Sequence, residues 1–187
     1  MAVVTTKTGK FAYCVFFLFN NEMEVIQSFQ IDHSLLKPGI YVSRQDNGFI
    51  TFDLRFTEPN KEPAMHPNAV HTLEHLGATY FRNSDIKDSV VYFGPMGCLT
   101  GFYLILSGEH TIDEVLDFTE DCLSYIVNFE GEVPGAKPEM CGNYLLHDLP
   151  TAKLYARKYL KALENDFNCE YVRLERKSYD GRAFHDA

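Results

Sequence analysis

The chain has 187 residues, a formal net charge of −9 and a sequence pI near 5.2. This acidity argues against nucleic acid or an anionic membrane surface as the main partner, because phosphate contacts need clustered Lys and Arg. The hydrophobic fraction of 45% and the charged fraction of 23% are ordinary for one folded domain. The five cysteines cannot all pair within one chain, so we expect a reducing, cytoplasmic setting.

An apolar run, Phe11 to Phe19, lies near the N-terminus. It superficially resembles a signal peptide, but it is about half the ~20 residues that a membrane-spanning helix requires. Asn20, Asn21 and Glu22 follow it instead of a small-residue cleavage site. We therefore treat residues 1–22 as an N-terminal extension, after which Met23 is an alternative start.

Strand patterns dominate the first half of the chain after this extension. We expect a strand at 25–31 and a hairpin at Asn47-Gly48, because Asn-Gly supplies the positive φ angles of a type I′ turn. The next strand has the clearest alternation, in which Ile50, Phe52, Leu54 and Phe56 alternate with Thr51, Asp53, Arg55 and Thr57. The apolar face should meet the core, which leaves Arg55 on the polar face, free to contact a ligand or a partner surface.

Helices and strands alternate in the second half. We predict helices over 67–83, from 111 and from 148, and strands at 90–93 and 101–108. The charged tail beyond Asp166 is expected to be loosely packed. The whole pattern predicts an α+β fold, a two-layer sandwich in which helices pack on one face of an antiparallel sheet.

The strongest chemical motif is His71-Thr72-Leu73-Glu74-His75, an H-x-x-E-H sequence on the first predicted helix. Histidines four residues apart lie about one turn apart on one helix face, so both imidazoles can reach one ion. Glu74 projects beside them, where a carboxylate can move protons. The alternative is a surface His/Glu cluster on an amphipathic helix.

A metal site needs a third protein ligand. The candidates are Cys98, Cys141, His110 and His147. The two cysteines stand out because each lies beside a glycine, which lets backbone or ligand approach closely. One could be the ligand and the other a reactive thiol, and the motif leaves open which is which. The remaining cysteines, expected to be structural, are Cys14, Cys122 and Cys169.

The same motif occurs in inverted zinc metallopeptidases. Those proteins have much larger chains and take a downstream glutamate as third ligand. Several glutamates follow His75, but none is distinguished by its surroundings as the glycine-flanked cysteines are. A peptidase is therefore disfavoured.

Five sequence blocks together resemble the S-ribosylhomocysteine lyase family. In chain order they are 28–33, 52–56, 71–76, 95–103, and 141–144 with 146–149. They cover residues 23 to about 165 in the family's order. The resemblance implies a lyase domain over 23–165 and a C-terminal extension over 166–187.

The resemblance also implies roles for individual residues. The implied metal ligands are His71, His75 and Cys141. Water or a substrate oxygen would take the fourth position of the ion, which in the family is Fe²⁺, one per subunit, with Co²⁺ or Zn²⁺ as substitutes. The implied general acid/base pair is Cys98 and Glu74. The implied substrate-binding residues are Ser28, His33 and Arg55. His147 is kept as structural, although its motif matches.

The implied reaction cleaves S-ribosylhomocysteine to homocysteine and 4,5-dihydroxy-2,3-pentanedione, the precursor of autoinducer-2. It proceeds by two carbonyl migrations and a β-elimination, for which we expect the nearby ion to lower the pKa of Cys98. Members of the family work as homodimers with each active site at the subunit interface. The alternatives are a silent metal-binding module and a small hydrolase that uses Glu74.

One segment departs from the family pattern. Val91-Tyr92-Phe93-Gly94 stands where many members carry an acidic residue and a serine. For the substrate contact of that acidic residue two alternatives are open: the Tyr92 hydroxyl replaces it, or the loop packs differently.

Overall fold

The computed structural model describes residues 4–5, 11–12 and 26–174. Near the N-terminus two short strands, β1 (Val4–Thr5) and β2 (Phe11–Ala12), pair antiparallel. The rest of the expected extension 1–22, including most of its apolar run, lies outside the described residues. Among the helices that the structure does describe, none combines the length and apolarity needed to cross a membrane.

The main sheet has four antiparallel strands. They are β3 (Gly39–Asp46), β4 (Phe49–Arg55), β5 (Val90–Pro95) and β6 (Gly101–Ser107), in the spatial order β3-β4-β6-β5. Asn47 at φ 49° and Gly48 at φ 81° close the hairpin between β3 and β4. These positive φ angles are those that a type I′ turn needs, so the predicted hairpin is confirmed.

Three helices pack against one face of this sheet. They are α1 (Pro67–Phe81), α2 (Ile112–Asn128) and α3 (Leu149–Asn165). The Thr111 hydroxyl accepts a hydrogen bond from the Glu114 amide and starts α2. The Asp148 carboxylate accepts one from the Thr151 amide and starts α3. The predicted α+β architecture, with helices on one face of an antiparallel sheet, is confirmed.

The core lies between the helices and the facing side of the sheet, which we call the inner face. Phe52 and Leu54 of β4 and Leu104 of β6 are at most 1% exposed there. Gly77 of α1 sits directly against the Phe93 ring, which a Cβ at position 77 would overlap. Glycine inside a helix costs about 1 kcal/mol, and this close approach of α1 to β5 is the reason for it here.

The predicted strand at 25–31 is wrong for most of its length. Gln27–Gln30 form a short 3-10 helix, and Ile31 makes only an isolated bridge with Arg173. Within the described residues this segment is not part of either sheet, and the carbonyl of Gln30 accepts a hydrogen bond from the Leu174 amide instead. Phe29 accordingly remains 69% exposed.

The chain after α3 is packed rather than loose as far as residue 174. The Ile40 amide donates to the Asn168 carbonyl at 2.9 Å, which attaches this stretch to the edge of β3. Further on, the Asp32 amide donates to the Val172 carbonyl at 2.8 Å. We call residues 168–174 the C-terminal segment. It runs from the edge of β3 over the face of the sheet opposite the helices, which we call the outer face.

Candidate active site

A cluster of four possible metal ligands lies on the side of α1 that faces away from the sheet. The helix contributes His71 and His75, and the stretch before α3 contributes Cys141 and His147, with all four ligand atoms within 4.8 Å of one another. Cys141 Sγ is 3.4 Å from His71 Nε2, close to the roughly 3.5 Å that separates two ligands of a tetrahedral ion. The structure therefore brings together the three predicted ligands.

The protonation of the two helix histidines suits metal binding. His71 Nδ1 donates to the Leu146 carbonyl at 2.8 Å, and His75 Nδ1 donates to the Pro134 carbonyl at 2.7 Å. Because a carbonyl oxygen can only accept, each ring donates from Nδ1, and Nε2 is then the nitrogen that can bind an ion. Backbone carbonyls orient ligating histidines in this way in many metal sites.

The Cys141 sulfur completes a donor set of suitable chemistry. Its loop is held by a hydrogen bond from the Cys141 amide to the Lys137 carbonyl at 2.9 Å. The Asn143 amide donates to the sulfur at 3.4 Å. Two imidazoles and one thiolate suit a divalent ion such as Fe²⁺, Co²⁺ or Zn²⁺, so these residues fit the metal that the family resemblance implies.

His147 was expected to be structural, but the structure places it in this cluster. Its ring centroid lies 4.3 Å from that of His71, with near-parallel planes, and 4.8 Å from that of His75. The sequence offered one signal for this role: His147 follows Cys141 closely and lies in a block that resembles the family. Burial, together with these two neighbouring rings, lowers the pKa of His147 to about 4, so it is neutral near pH 7.

Hydrogen bonding assigns the tautomer of His147 as well. The Thr72 hydroxyl donates to the Asn68 carbonyl at 2.9 Å and accepts from the Asp148 amide at 2.9 Å. His147 Nδ1, at 3.3 Å, must therefore donate to that hydroxyl oxygen. The other ring nitrogen, Nε2, is buried and has no hydrogen-bond partner. It offers the cluster an additional lone pair.

A second group of polar residues lies at the outer face of the sheet. Arg55 makes two hydrogen bonds to the Asp53 carboxylate, Nη2 to Oδ2 at 2.5 Å and Nε to Oδ1 at 3.1 Å. The two side chains are only 3% and 2% exposed. The prediction of a freely accessible Arg55 is thus wrong for the protomer, because Tyr41 and the C-terminal segment cover the strand there.

Arg55 nevertheless keeps one nitrogen directed at the predicted catalytic thiol. Its Nη1 lies 2.5 Å from the Thr100 hydroxyl and 3.9 Å from Cys98 Sγ. The Thr100 hydroxyl in turn lies 3.0 Å from the same sulfur. Partial burial alone would raise the pKa of Cys98, but the Thr100 hydrogen bonds and the Arg55 charge outweigh it, so the pKa lies below its usual value. Contacts within the protein thus act in the direction expected of the ion.

The other predicted residues are distributed between these two groups. Glu74 lies on α1 between the two histidines of the cluster. Ser28 lines a groove over the outer face together with Thr51 and Tyr103. His33 Nδ1 donates to the Ile31 carbonyl at 3.0 Å, next to the pairing with the C-terminal segment. The predicted residues therefore form a helix-side group, His71, Glu74, His75 and Cys141, and an outer-face group, Ser28, His33, Arg55 and Cys98.

Several residues around Arg55 were not singled out from the sequence. Asp53 shares a strand face with Arg55, and Thr100 follows Cys98 closely, so spacing could have indicated both. Tyr171 donates to Asp53 at 2.9 Å, and no sequence signal indicated it.

Tyr92 lies in the segment that departs from the family pattern. Its side chain folds over Gly94, and its hydroxyl occupies the space that a Cβ at position 94 would need.

An α+β domain with a cluster of His and Cys side chains beside one helix and a thiol of lowered pKa in the turn before β6 defines a class of small enzymes with a candidate metal site. Comparison with known proteins narrows that class, because the model of the S-ribosylhomocysteinase (LuxS) family matches residues 26–169. This chain belongs to that family.

Individual relatives agree with the family match. The S-ribosylhomocysteine lyase of Phocaeicola vulgatus is 52% identical over 143 residues, which cover 74% of this chain and 89% of the relative. Those of Finegoldia magna and Clostridium acetobutylicum are 49% and 48% identical over 147 and 148 residues. Each of these two matches covers 76% of this chain and 94% of the relative.

Proposed function

We propose that this chain is a metal-dependent S-ribosylhomocysteine lyase that releases homocysteine and 4,5-dihydroxy-2,3-pentanedione, the precursor of autoinducer-2. One observation carries the proposal: the residues of the matching sequence blocks converge into a metal-ligand cluster and a thiol–arginine pair. Relatives of known name at about half identity over most of their length support it.

The proposed metal ligands are His71, His75 and Cys141, holding one Fe²⁺ per subunit, with Co²⁺ or Zn²⁺ as substitutes. The histidine tautomers and the Cys141 sulfur support this choice. When bound, such an ion acts as a Lewis acid that polarises a carbonyl oxygen of the opened sugar. Analysis of protein purified without oxygen would identify the native metal.

The proton transfers are assigned to Cys98 and Glu74. Each carbonyl migration removes a proton from one carbon of the opened sugar and returns a proton to its neighbour. A thiolate at Cys98 can take the first proton, and Thr100 and Arg55 favour that thiolate by lowering the pKa of Cys98. The Glu74 carboxylate would move protons between the sugar oxygens. After two migrations, loss of one more proton expels homocysteine as its thiolate by β-elimination.

We propose that the active enzyme is a homodimer with active sites at its interface. The metal-ligand cluster lies on the side of α1 away from the sheet, whereas Cys98 and Arg55 lie at the outer face of that sheet. Helix α1, roughly 10 Å across, and the sheet therefore stand between them. One subunit would supply the ion and Glu74, and the other would supply Cys98 and Arg55.

The outer face has the character of such an interface. Apolar side chains there are exposed in the single chain, namely Phe49, Val91 and Tyr92. Phe49 and Val91 line the same groove as Ser28. Exposed apolar patches rimmed by polar residues commonly mark protein interfaces, and an isologous dimer would bury the same patch twice.

Thiol release tests the proposed activity. Protein loaded anaerobically with Fe²⁺ or Co²⁺ is incubated with S-ribosylhomocysteine, and free thiol is measured over time. Cys98→Ala should abolish release while metal content stays unchanged, because Cys98 lies outside the ligand cluster. Absence of thiol release from correctly metallated dimer would reject the lyase assignment.

Subunit mixing tests the shared active site separately. Glu74→Gln and Cys98→Ala homodimers should each be inactive, since each lacks one member of the proton-transfer pair. After the two are dissociated and reassociated at equal amounts, about a quarter of the wild-type activity should return, since half the dimers then contain one intact site of two. If activity does not return although heterodimers form, each site lies within one subunit.

We also propose a cytoplasmic location. The described cysteines, Cys98, Cys122, Cys141 and Cys169, are all free thiols. The proposed chemistry needs two of them reduced, which a reducing compartment maintains. Cell fractionation with an antibody to the chain would check the location.

A further inference from the structure

The C-terminal segment runs beside the outer-face group and largely beyond the stretch that the family model matches, which ends at residue 169. The Asp32 amide donates to the Val172 carbonyl and the Leu174 amide donates to the Gln30 carbonyl, each at 2.8 Å. Ile31 and Arg173 form an antiparallel bridge between these bonds. The segment therefore fixes the backbone that carries Ser28 and His33 on either side.

The side chain of Tyr171 reaches from this segment to the ion pair on β4. Its ring stacks on Tyr41, with centroids 4.6 Å apart and planes at 11°. Its hydroxyl donates to Asp53 Oδ2 at 2.9 Å. Asp53 holds Arg55 through both carboxylate oxygens, and Arg55 Nη1 points towards Cys98.

These contacts form one continuous chain from the C-terminal segment to the catalytic thiol. A carboxylate that binds an arginine through two oxygens sets the plane of the guanidinium. The Tyr171 hydroxyl bonds one of those oxygens, and stacking on Tyr41 limits movement of its own ring. Loss of the hydroxyl would leave the buried carboxylate with one donor fewer, so that it and Arg55 could rotate together.

We propose that Tyr171 is a positioning residue that orients Arg55 towards Cys98 and the substrate. The Tyr171–Asp53–Arg55 arrangement stands on geometry alone. Its catalytic meaning rests on the lyase function proposed above. Through this one side chain the C-terminal segment is linked to Arg55.

The test compares Tyr171→Phe with Val172→Ala in the full-length metallated protein. The first removes one hydroxyl and keeps the stacking on Tyr41. The second trims a neighbouring side chain that is 47% exposed and keeps the backbone pairing. Cys98 alkylation is followed by mass spectrometry of its peptide, which reports on Arg55 independently of turnover, and KM and kcat are measured with S-ribosylhomocysteine.

Tyr171→Phe should slow Cys98 alkylation at neutral pH by about threefold, since a displaced Arg55 stabilises the thiolate less. KM for S-ribosylhomocysteine should rise about fivefold, more than kcat falls. The variant loses the hydrogen bond from Tyr171 to the charged Asp53, which holds the substrate-binding Arg55 in place. Val172→Ala should match the wild type in both measurements. Alkylation does not depend on turnover. If the wild-type protein releases no thiol from S-ribosylhomocysteine, the alkylation rates still show whether Tyr171 positions Arg55.

A Tyr171→Phe protein that matches Val172→Ala in both alkylation and KM would overturn the proposal. If its thermal stability were lowered at the same time, the hydroxyl would have a purely structural role. Should Tyr171→Phe fail to fold, Tyr41→Leu replaces it, because it removes the ring on which Tyr171 stacks. That variant should also slow Cys98 alkylation and raise KM, and wild-type values of both would contradict the proposal.

Discussion

The two faces of the same sheet are built on different principles. On the inner face, Phe52, Leu54 and Leu104 are buried by the helices, and their shape and apolar area stabilise the fold. On the outer face, Asp53 and Arg55 are equally buried, but by ion pairing and a covering tyrosine. Side chains along β4 thus alternate between the two faces. Those on the inner face stabilise the fold, and those on the outer face belong to the proposed active site.

The helix-side group and the outer-face group also differ in how the fold brings their residues together. The helix-side histidines are brought together by helical spacing, and only Cys141 and His147 come from a distant stretch. The outer-face group depends on contacts between β4, the turn before β6 and the C-terminal segment. We therefore expect the first group to tolerate distant changes and the second to be sensitive to them.

The largest expected effect is on the helix side. Cys141→Ala should lower bound metal from one ion per subunit to less than about a tenth, since two histidines alone bind a divalent ion weakly. Metal analysis after anaerobic purification measures this. Cys169→Ser serves as the matched control and should retain full metal. Full metal in Cys141→Ala would show that His147 replaces the sulfur.

A pair of adjacent residues on β6 compares the two faces directly. Leu104→Ala should lower the free energy of unfolding by about 3 kcal/mol, because it leaves a cavity in the core. Ile105→Ala, on the outer face, should cost less than about 1 kcal/mol in the protomer and weaken the proposed dimer instead. Urea unfolding and sedimentation measure the two effects. Equal losses of stability without a change in association would contradict the assignment of the outer face.

The contact of α1 with β5 offers a further test on the inner side. Gly77→Ala should destabilise the protein by about 1–3 kcal/mol, because the added methyl overlaps the Phe93 ring. Helix propensity alone predicts the opposite, a gain of about 1 kcal/mol. Thermal or urea unfolding decides the sign. A stabilised variant would mean that Phe93 moves aside at no cost.

On the outer face, Cys98 should titrate below an ordinary thiol. Its pKa is lowered by Thr100 and Arg55. As pH falls, Cys98 should therefore remain a thiolate to a lower pH than a free cysteine does. Thr100→Val removes the hydroxyl contact and should raise the pH midpoint of Cys98 alkylation above that of the wild type. Burial raises the pKa of Cys122, so its lack of reaction is an internal control. An unchanged midpoint would assign the lowering to Arg55 alone.

The smallest effect is expected for His147→Ala. The ring of His147 lies nearly parallel to that of His71, an arrangement in which in-plane lone pairs converge poorly on one ion. We expect metal content to stay within about a quarter of the wild-type value, because three ligands already define the site. Cobalt absorption spectra of the two proteins would compare the ligand sets. A loss similar to that of Cys141→Ala would make His147 a ligand.

Local sequence patterns determined much of this protein. The hairpin at Asn47-Gly48, the caps at Thr111 and Asp148, and the helix that carries His71 and His75 depend on neighbours a few residues away. Their spacing was therefore sufficient to predict them. The choice of Cys141 as third ligand came from the family resemblance, since spacing alone left Cys98 equally open.

Only the tertiary structure decided the surroundings of these residues. The burial of Arg55, the place of His147 beside His71 and the bond from Tyr171 to Asp53 each join parts of the chain far apart in sequence. Such contacts depend on how strands and loops are arranged after folding, and no local periodicity encodes them. Sequence thus defines which side chains carry the chemistry, and packing defines which of them are accessible, paired and oriented.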